Sequence, residues 1–124
     1  MKTVKIIAYG TLMTGEGNHR FCQNAVRIEP CTVTGTLYDM KCGYPVFTPT
    51  GNQIVHAELI EIPEKDWKAI DGLEGYPHYY NRMLITATLP NGSTEEGWIY
   101  FMKEIPARAR IIARVIESGN WKKR

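Results

Sequence analysis

Short apolar runs separated by glycine, proline and asparagine set the pattern of the chain. Val4-Lys5-Ile6-Ile7-Ala8 predicts a first strand, which ends in the tight glycine turn Tyr9-Gly10-Thr11-Leu12. Met13 to Gly17 reads as a flexible loop, and Asn18 as the N-cap of a short helix through His19 to Ala25. From Cys31 to Met40 β-forming residues alternate with small ones, and the interior Gly35 marks a bulge or a close backbone contact. Barrel-like curvature is the consequence. Cys42-Gly43-Tyr44-Pro45 breaks that strand, and Val46-Phe47-Thr48 predicts a short edge strand before the Thr50-Gly51-Asn52 turn.

Ile54 to Ile62 is the clearest strand, and it stops at Pro63. Proline suits the first position of a helix, and Glu64 and Asp66 suit the positive end of its dipole. Pro63 to Leu73 therefore predicts a helix with Trp67, Ile70 and Leu73 turned inward. Tyr80 to Leu89 returns as a strand, Pro90-Asn91-Gly92-Ser93 carries a hairpin signal, and Thr94 to Met102 is the partner strand. Period two puts Glu96, Trp98 and Tyr100 on one face of it. Ala107 to Ile116 has helix propensity with its arginines on one side, read as a solvated face, and Trp121 is expected to dock its indole while the last basic residues fray.

One stretch changes this picture from architecture to chemistry. Asp71 to Arg82 holds a carboxylate, Glu74, between Gly72 and Gly75, beside Pro77 and three tyrosines. Pro77 disfavours helix at Tyr76, which places Glu74 at a helix exit. A carboxylate held there against aromatic rings loses water, and its pKa rises towards the value a general base needs near neutral pH. The other reading of Glu74 is a solvated loop residue. Asp71, three residues earlier, either shares its side of the helix or is a solvated charge of the last turn. At the other end of the chain, the turn Tyr9 to Leu12 can release successive backbone N–H groups as a nest for a carboxylate, or be an ordinary strand-to-loop turn.

Composition narrows the classes. The chain has 124 residues, 44% hydrophobic and 23% charged, the balance of an ordinary globule of one domain spanning 1–124. A net charge of +2 gives no case for nucleic acid. No run of 18 apolar residues exists to span a membrane, and Met1-Lys2-Thr3 leads straight into the first strand without a signal-peptide core, so the expectation is a cytoplasmic protein. Cys22, Cys31 and Cys42 form no C-x-x-C pair and read as reduced thiols; with His19, His56 and His78 scattered singly, no metal or cofactor is expected.

Taken in order, Tyr9-Gly10-Thr11-Leu12, Gly35-Thr36-Leu37-Tyr38-Asp39 followed by Tyr44-Pro45, Leu73-Glu74-Gly75 with Tyr80-x-Arg82, and Gly97-Trp98-Ile99-Tyr100 resemble the gamma-glutamylcyclotransferase-like family, nearest to its gamma-glutamylamine cyclotransferase type. The motifs run from about residue 4 to about residue 102. The resemblance implies an α+β fold, a small mixed β-barrel with flanking helices. It also implies release of an amine from a gamma-glutamyl amide with formation of 5-oxoproline. Glu74 matches the family's base, and Tyr9, Gly10, Thr11 and Leu12 its substrate loop. Tyr44 is placed near the pocket or packed in the core, and Tyr80 and Tyr100 are pocket walls, hydrogen-bond donors or core residues. The expected partner is a small gamma-glutamyl molecule, and the expected state a monomer or weak homodimer. Three other readings stay open: cyclisation of gamma-glutamyl amino acids or glutathione, removal of a gamma-glutamyl protecting group, or a binding module that keeps the pocket without turnover.

Overall fold

The computed structural model describes residues 1–124. Strands β1 (Thr3–Ala8), β2 (Arg27–Asp39) and β3 (Pro45–Pro63) come first, followed by helix α1 (Trp67–Glu74). Strands β4 (Asn81–Thr88), β5 (Thr94–Phe101) and the two-residue β6 (Arg114–Val115) complete the chain. They pair in the order β3-β1-β5-β4-β2-β6, and β3 pairs with β2 as well, so five strands close into a ring. The ring is mixed: β1 runs antiparallel to β3 and parallel to β5.

Alternation of side chains accounts for the packing. Along β2, Cys31, Val33 and Leu37 point inward and are buried, while Thr34 between them is exposed. The register of β2 on β3 shifts between Gly35 and Thr36, the bulge that the interior glycine predicts. The two long strands are joined along their whole length, whereas β2 and β4 meet at the single register pair Thr32 and Thr88. The core draws on α1 and on every strand except β6. Ile70 is the one fully buried residue of α1, and its burial contributes roughly 1.5–3 kcal/mol to holding the helix on the ring. Trp121 docks as expected: it is buried, and its indole N–H donates to Glu16 at 3.0 Å.

Several elements differ from expectation. Val46 and Phe47 belong to β3 and are fully buried against β2, so they form no separate edge strand. The helix expected over 19–25 is a single 3-10 turn, His19–Cys22, and the Asn18 side chain makes no cap bond. Pro63 closes β3; the turn Glu64–Asp66 that follows is 3-10, and α1 proper starts at Trp67. Leu73 is 38% exposed rather than turned inward. The helix expected over 107–116 is absent: only Ala107–Ala109 makes a 3-10 turn, after which Arg114 and Val115 pair with Asp39 and Tyr38. There the sheet edge offers the backbone its partners, including a bond from Ile116 N–H to Leu37 C=O at 2.8 Å, and tertiary pairing overrides a weak propensity. The flanking helices thus reduce to one α-helix and short 3-10 turns. No helix is long and apolar enough to cross a membrane.

Candidate active site

A cavity of about 300 Å³ opens where the end of β1, the start of β3 and the exit of α1 converge. Its lining includes Glu74, the turn Tyr9 to Leu12, and Tyr44, Tyr80 and Tyr100.

Glu74 is the last residue of α1. Gly75 follows in the left-handed region, at φ 68° and ψ 30°, a conformation that glycine adopts without strain. The N–H groups of Gly75 and Tyr76 then close the helix on the carbonyls of Gly72 and Asp71. The Glu74 carboxylate is half-buried at this end, and burial alone pushes its pKa up to about 7. Desolvation disfavours its charge, and no nearby charge or hydrogen bond offsets the effect.

Across the cavity, β1 ends and the chain turns through Tyr9 to Leu12. The N–H groups of Gly10, Thr11 and Leu12 donate to no other group of the protein, although Gly10 and Leu12 are buried. Three successive backbone N–H groups of this turn are therefore left without a partner in the protein. Asn18 and His19 hold the loop. Asn18 N–H donates to Thr11 C=O at 2.9 Å, Asn18 Nδ2 donates to Thr11 Oγ1 at 3.0 Å, and His19 Nδ1 lies 2.8 Å from Leu12 C=O. Gly10 is required by proximity: a Cβ there would stand 2.6 Å from Pro45 Cγ.

The tyrosines are walls, not free donors. Tyr9 hydroxyl donates to Tyr100 C=O at 2.8 Å and accepts from Phe47 N–H. Tyr80 hydroxyl donates to Pro45 C=O at 2.7 Å. Tyr100 hydroxyl donates to Asp71 Oδ1 at 2.6 Å and accepts from Trp67 Nε1 at 3.1 Å. Burial holds all three phenols well above their ordinary pKa, so their protons stay in place. Tyr44 and Tyr79 meet hydroxyl to hydroxyl, with Tyr44 also edge-on to Tyr80.

Asn18, Leu73 and Tyr79 also line the cavity, and sequence reasoning gave none of them that place. Asn18 stands out as a polar residue just after a glycine loop, which signals a cap as readily as a loop clamp. Asp71 and Arg82 are not in the lining. No cluster of histidine, cysteine and acidic side chains is arranged to hold a metal ion.

A model of the family described as gamma-glutamyl cyclotransferase, AIG2-like, matches residues 6–123. A provisionally named gamma-glutamylcyclotransferase of Methanocaldococcus jannaschii is 32% identical over 120 residues, 94% of each chain. The gamma-L-glutamyl-butirosin B gamma-glutamyl cyclotransferase of Niallia circulans is 32% identical over 102 residues, 77% of this chain and 64% of that one. Among solved structures, an AIG2-like protein from Mus musculus superimposes with a TM-score of 0.81 over 94% of this chain and 88% of its own, at 18% identity.

Proposed function

The chain belongs to the gamma-glutamyl cyclotransferase, AIG2-like family and is an enzyme of that type, and on that footing we propose that it cyclises a gamma-glutamyl amine to 5-oxoproline with Glu74 as the proton carrier. The observation that carries this reading is the half-buried Glu74 carboxylate, raised to about 7, lining one cavity with a turn whose three successive N–H groups are unpaired.

The substrate's α-amine attacks its own γ-carbonyl carbon, a C–N bond forms in a five-membered ring, and the bond to the leaving amine breaks. An α-ammonium titrates near ~8, so it must lose a proton before attacking. Glu74, poised at about 7, takes that proton across a gap of about one pKa unit, or ~1.4 kcal/mol. It then returns the proton to the departing nitrogen. The nest from Gly10 to Leu12 receives a negative oxygen of the substrate. Amine and carbonyl belong to one molecule, so placement consists in holding its folded-back conformer in attack geometry, beside roughly 10²–10⁴-fold for general acid–base help. A preformed cavity walled by tyrosines whose hydroxyls are already committed is consistent with that task. The name of the Niallia circulans relative gives it gamma-L-glutamyl-butirosin B as substrate, which supports a gamma-glutamyl substrate here.

The test is a panel of gamma-glutamyl amines, gamma-glutamyl amino acids and glutathione, with 5-oxoproline followed by mass spectrometry and Glu74→Gln run alongside. The expected result is product from a gamma-glutamyl amine, lost in the variant. Binding of a panel member without product would turn the reading to a binding module, and product from Glu74→Gln at the parent rate would remove Glu74 from its role.

A further inference from the structure

Asp71 and Arg82 lie behind the cavity and are tied to each other. The Arg82 guanidinium stands 4.0 Å from the Trp67 ring centroid, 4.2 Å from that of Tyr76 and 5.1 Å from that of Trp98. It thereby joins the start of α1, the segment after α1, and β5. Its Nε donates to Asp71 Oδ1 at 3.0 Å, and the two side chains are only 18% and 22% exposed. Asp71 Oδ1 also accepts the Tyr100 hydroxyl, and the Asp71 main-chain carbonyl accepts Tyr76 N–H at 2.9 Å. One residue thus fixes the exit of α1 through its side chain and its backbone together.

Glu74 follows three residues later, and side chains three apart on a helix are neighbours, about 5–6 Å between Cβ atoms. The last turn therefore carries two carboxylates, and only one lines the cavity. Tyr9 from just after β1, Tyr44 from just before β3, Tyr79 and Tyr80 from just before β4, and Tyr100 from β5 also face it, and burial and hydrogen bonding keep the phenols of Tyr9, Tyr44, Tyr80 and Tyr100 neutral. Neither a histidine nor a lysine lines the cavity. Asp71, paired with Arg82, is the one other charged side chain in that last turn of α1.

We propose that Asp71 and Arg82 are a positioning pair for Glu74: Arg82 neutralises Asp71 and pins the exit of α1 to β4 and β5, which leaves Glu74 as the one carboxylate of that turn free to carry a proton. The proposal rests on the reading of Glu74 as the proton carrier. It follows that breaking either half of the pair leaves an opposite charge behind. Arg82→Met exposes Glu74 to an uncompensated anion, and Asp71→Asn to an uncompensated cation.

The experiment is a carboxyl ¹³C NMR titration of Glu74 in the full chain, which needs no substrate, together with kcat and KM on whichever panel substrate turns over. Arg82→Met is expected to move the Glu74 midpoint up and Asp71→Asn to move it down, each by about half a unit or more, with Arg82→Lys between Arg82→Met and the parent. In both charge-removing variants kcat falls about tenfold with KM within about twofold. Arg82→Lys keeps the cation and its reach, so it gives the reading if the methionine variant does not fold. A midpoint that stays at the parent value, or that moves the same way in both folded variants, overturns the proposal. Glu74→Gln separates the two ideas: parent activity there sinks the proton-carrier reading, whereas an inactive Glu74→Gln with unshifted, fully active Asp71 and Arg82 variants sinks the positioning pair alone.

Discussion

The two walls of the cavity are built in different currencies. On the α1 side, a single carboxylate is aimed by side chains, through the Arg82 guanidinium, the Asp71 carboxylate and the aromatic rings that pack around them. On the β1 side, the donors are backbone N–H groups, held by the main chain and by Asn18. One wall is open to direct substitution, and the other can be reached only by moving the chain. The difference teaches where mutation reports on chemistry and where it reports on geometry.

The largest effect is expected on the side-chain wall. Glu74→Gln keeps size and removes the proposed base, and kcat should fall by roughly 10²–10⁴-fold in the product assay. Gly10→Ala attacks the backbone wall: the new Cβ meets Pro45 Cγ at 2.6 Å and Cδ at 2.8 Å, so the turn must shift. Misplacement by about an ångström costs roughly 10²-fold, and kcat/KM should drop by that order with Glu74's titration unmoved. If Gly10→Ala behaved as the parent, the nest would lose its part in the reaction.

Asn18→Ala is a smaller, sharper probe of the same wall. It removes the bond to Thr11 Oγ1 and leaves the Asn18 N–H bond to Thr11 C=O in place. One hydrogen bond is worth about 0.5–1.5 kcal/mol net, so kcat/KM should fall roughly 2–10-fold, with a lowered thermal midpoint measured alongside. A loss as large as that of Gly10→Ala would mean that Asn18 meets the substrate itself.

The pH dependence distinguishes the walls without any change in shape. Glu74 must be ionised to accept a proton, so kcat/KM should rise with pH through about 7 on its acid limb. Stability runs the other way. Unfolded Glu74 titrates at its ordinary 4.5 and folded Glu74 at about 7, so between these values the folded chain holds a proton that the unfolded chain has released. The contribution of Glu74 to stability is complete below the lower value and is lost as pH rises through the upper one. Glu74→Gln cannot ionise and should therefore melt higher than the parent at about pH 8, with the gain shrinking towards about pH 5. Equal melting points at both pH values would show that burial does not act on this carboxylate.

Much of this was legible in the residues themselves. Pro63, Gly75 and Pro77 punctuate the chain around α1 strongly enough to place Glu74 at its exit, and Gly35 marks the shift between β2 and β3. The Tyr9 to Leu12 turn follows its strand directly and carries its donors in the backbone, where local sequence is a good guide. What depended on distant partners was not legible. Ala107 to Ile116 has the composition of a helix, but Tyr38 and Asp39 offer Val115 and Arg114 a sheet edge. Asn18 is spaced like a cap, yet its side chain turns to Thr11. The commitments of the Tyr9, Tyr80 and Tyr100 hydroxyls join residues 29 to 91 positions apart along the chain, as with Tyr100 to Asp71 and Tyr9 to Tyr100, and nothing in a local window encodes them.

The single pair between Thr32 and Thr88 makes the ring a belt with a clasp. Where β2 and β4 meet at one register pair, thermal opening needs to break little, while β2 on β3 and β4 on β5 are fastened along their length. The clasp joins two strands that supply no lining residue to the cavity, whose walls come from β1, β3, β5, the exit of α1 and the loops beside them. The protein can therefore breathe at the back without disturbing the geometry at the front, and amide exchange should be fastest at the clasp and slowest along β1 and the β3 residues paired with it.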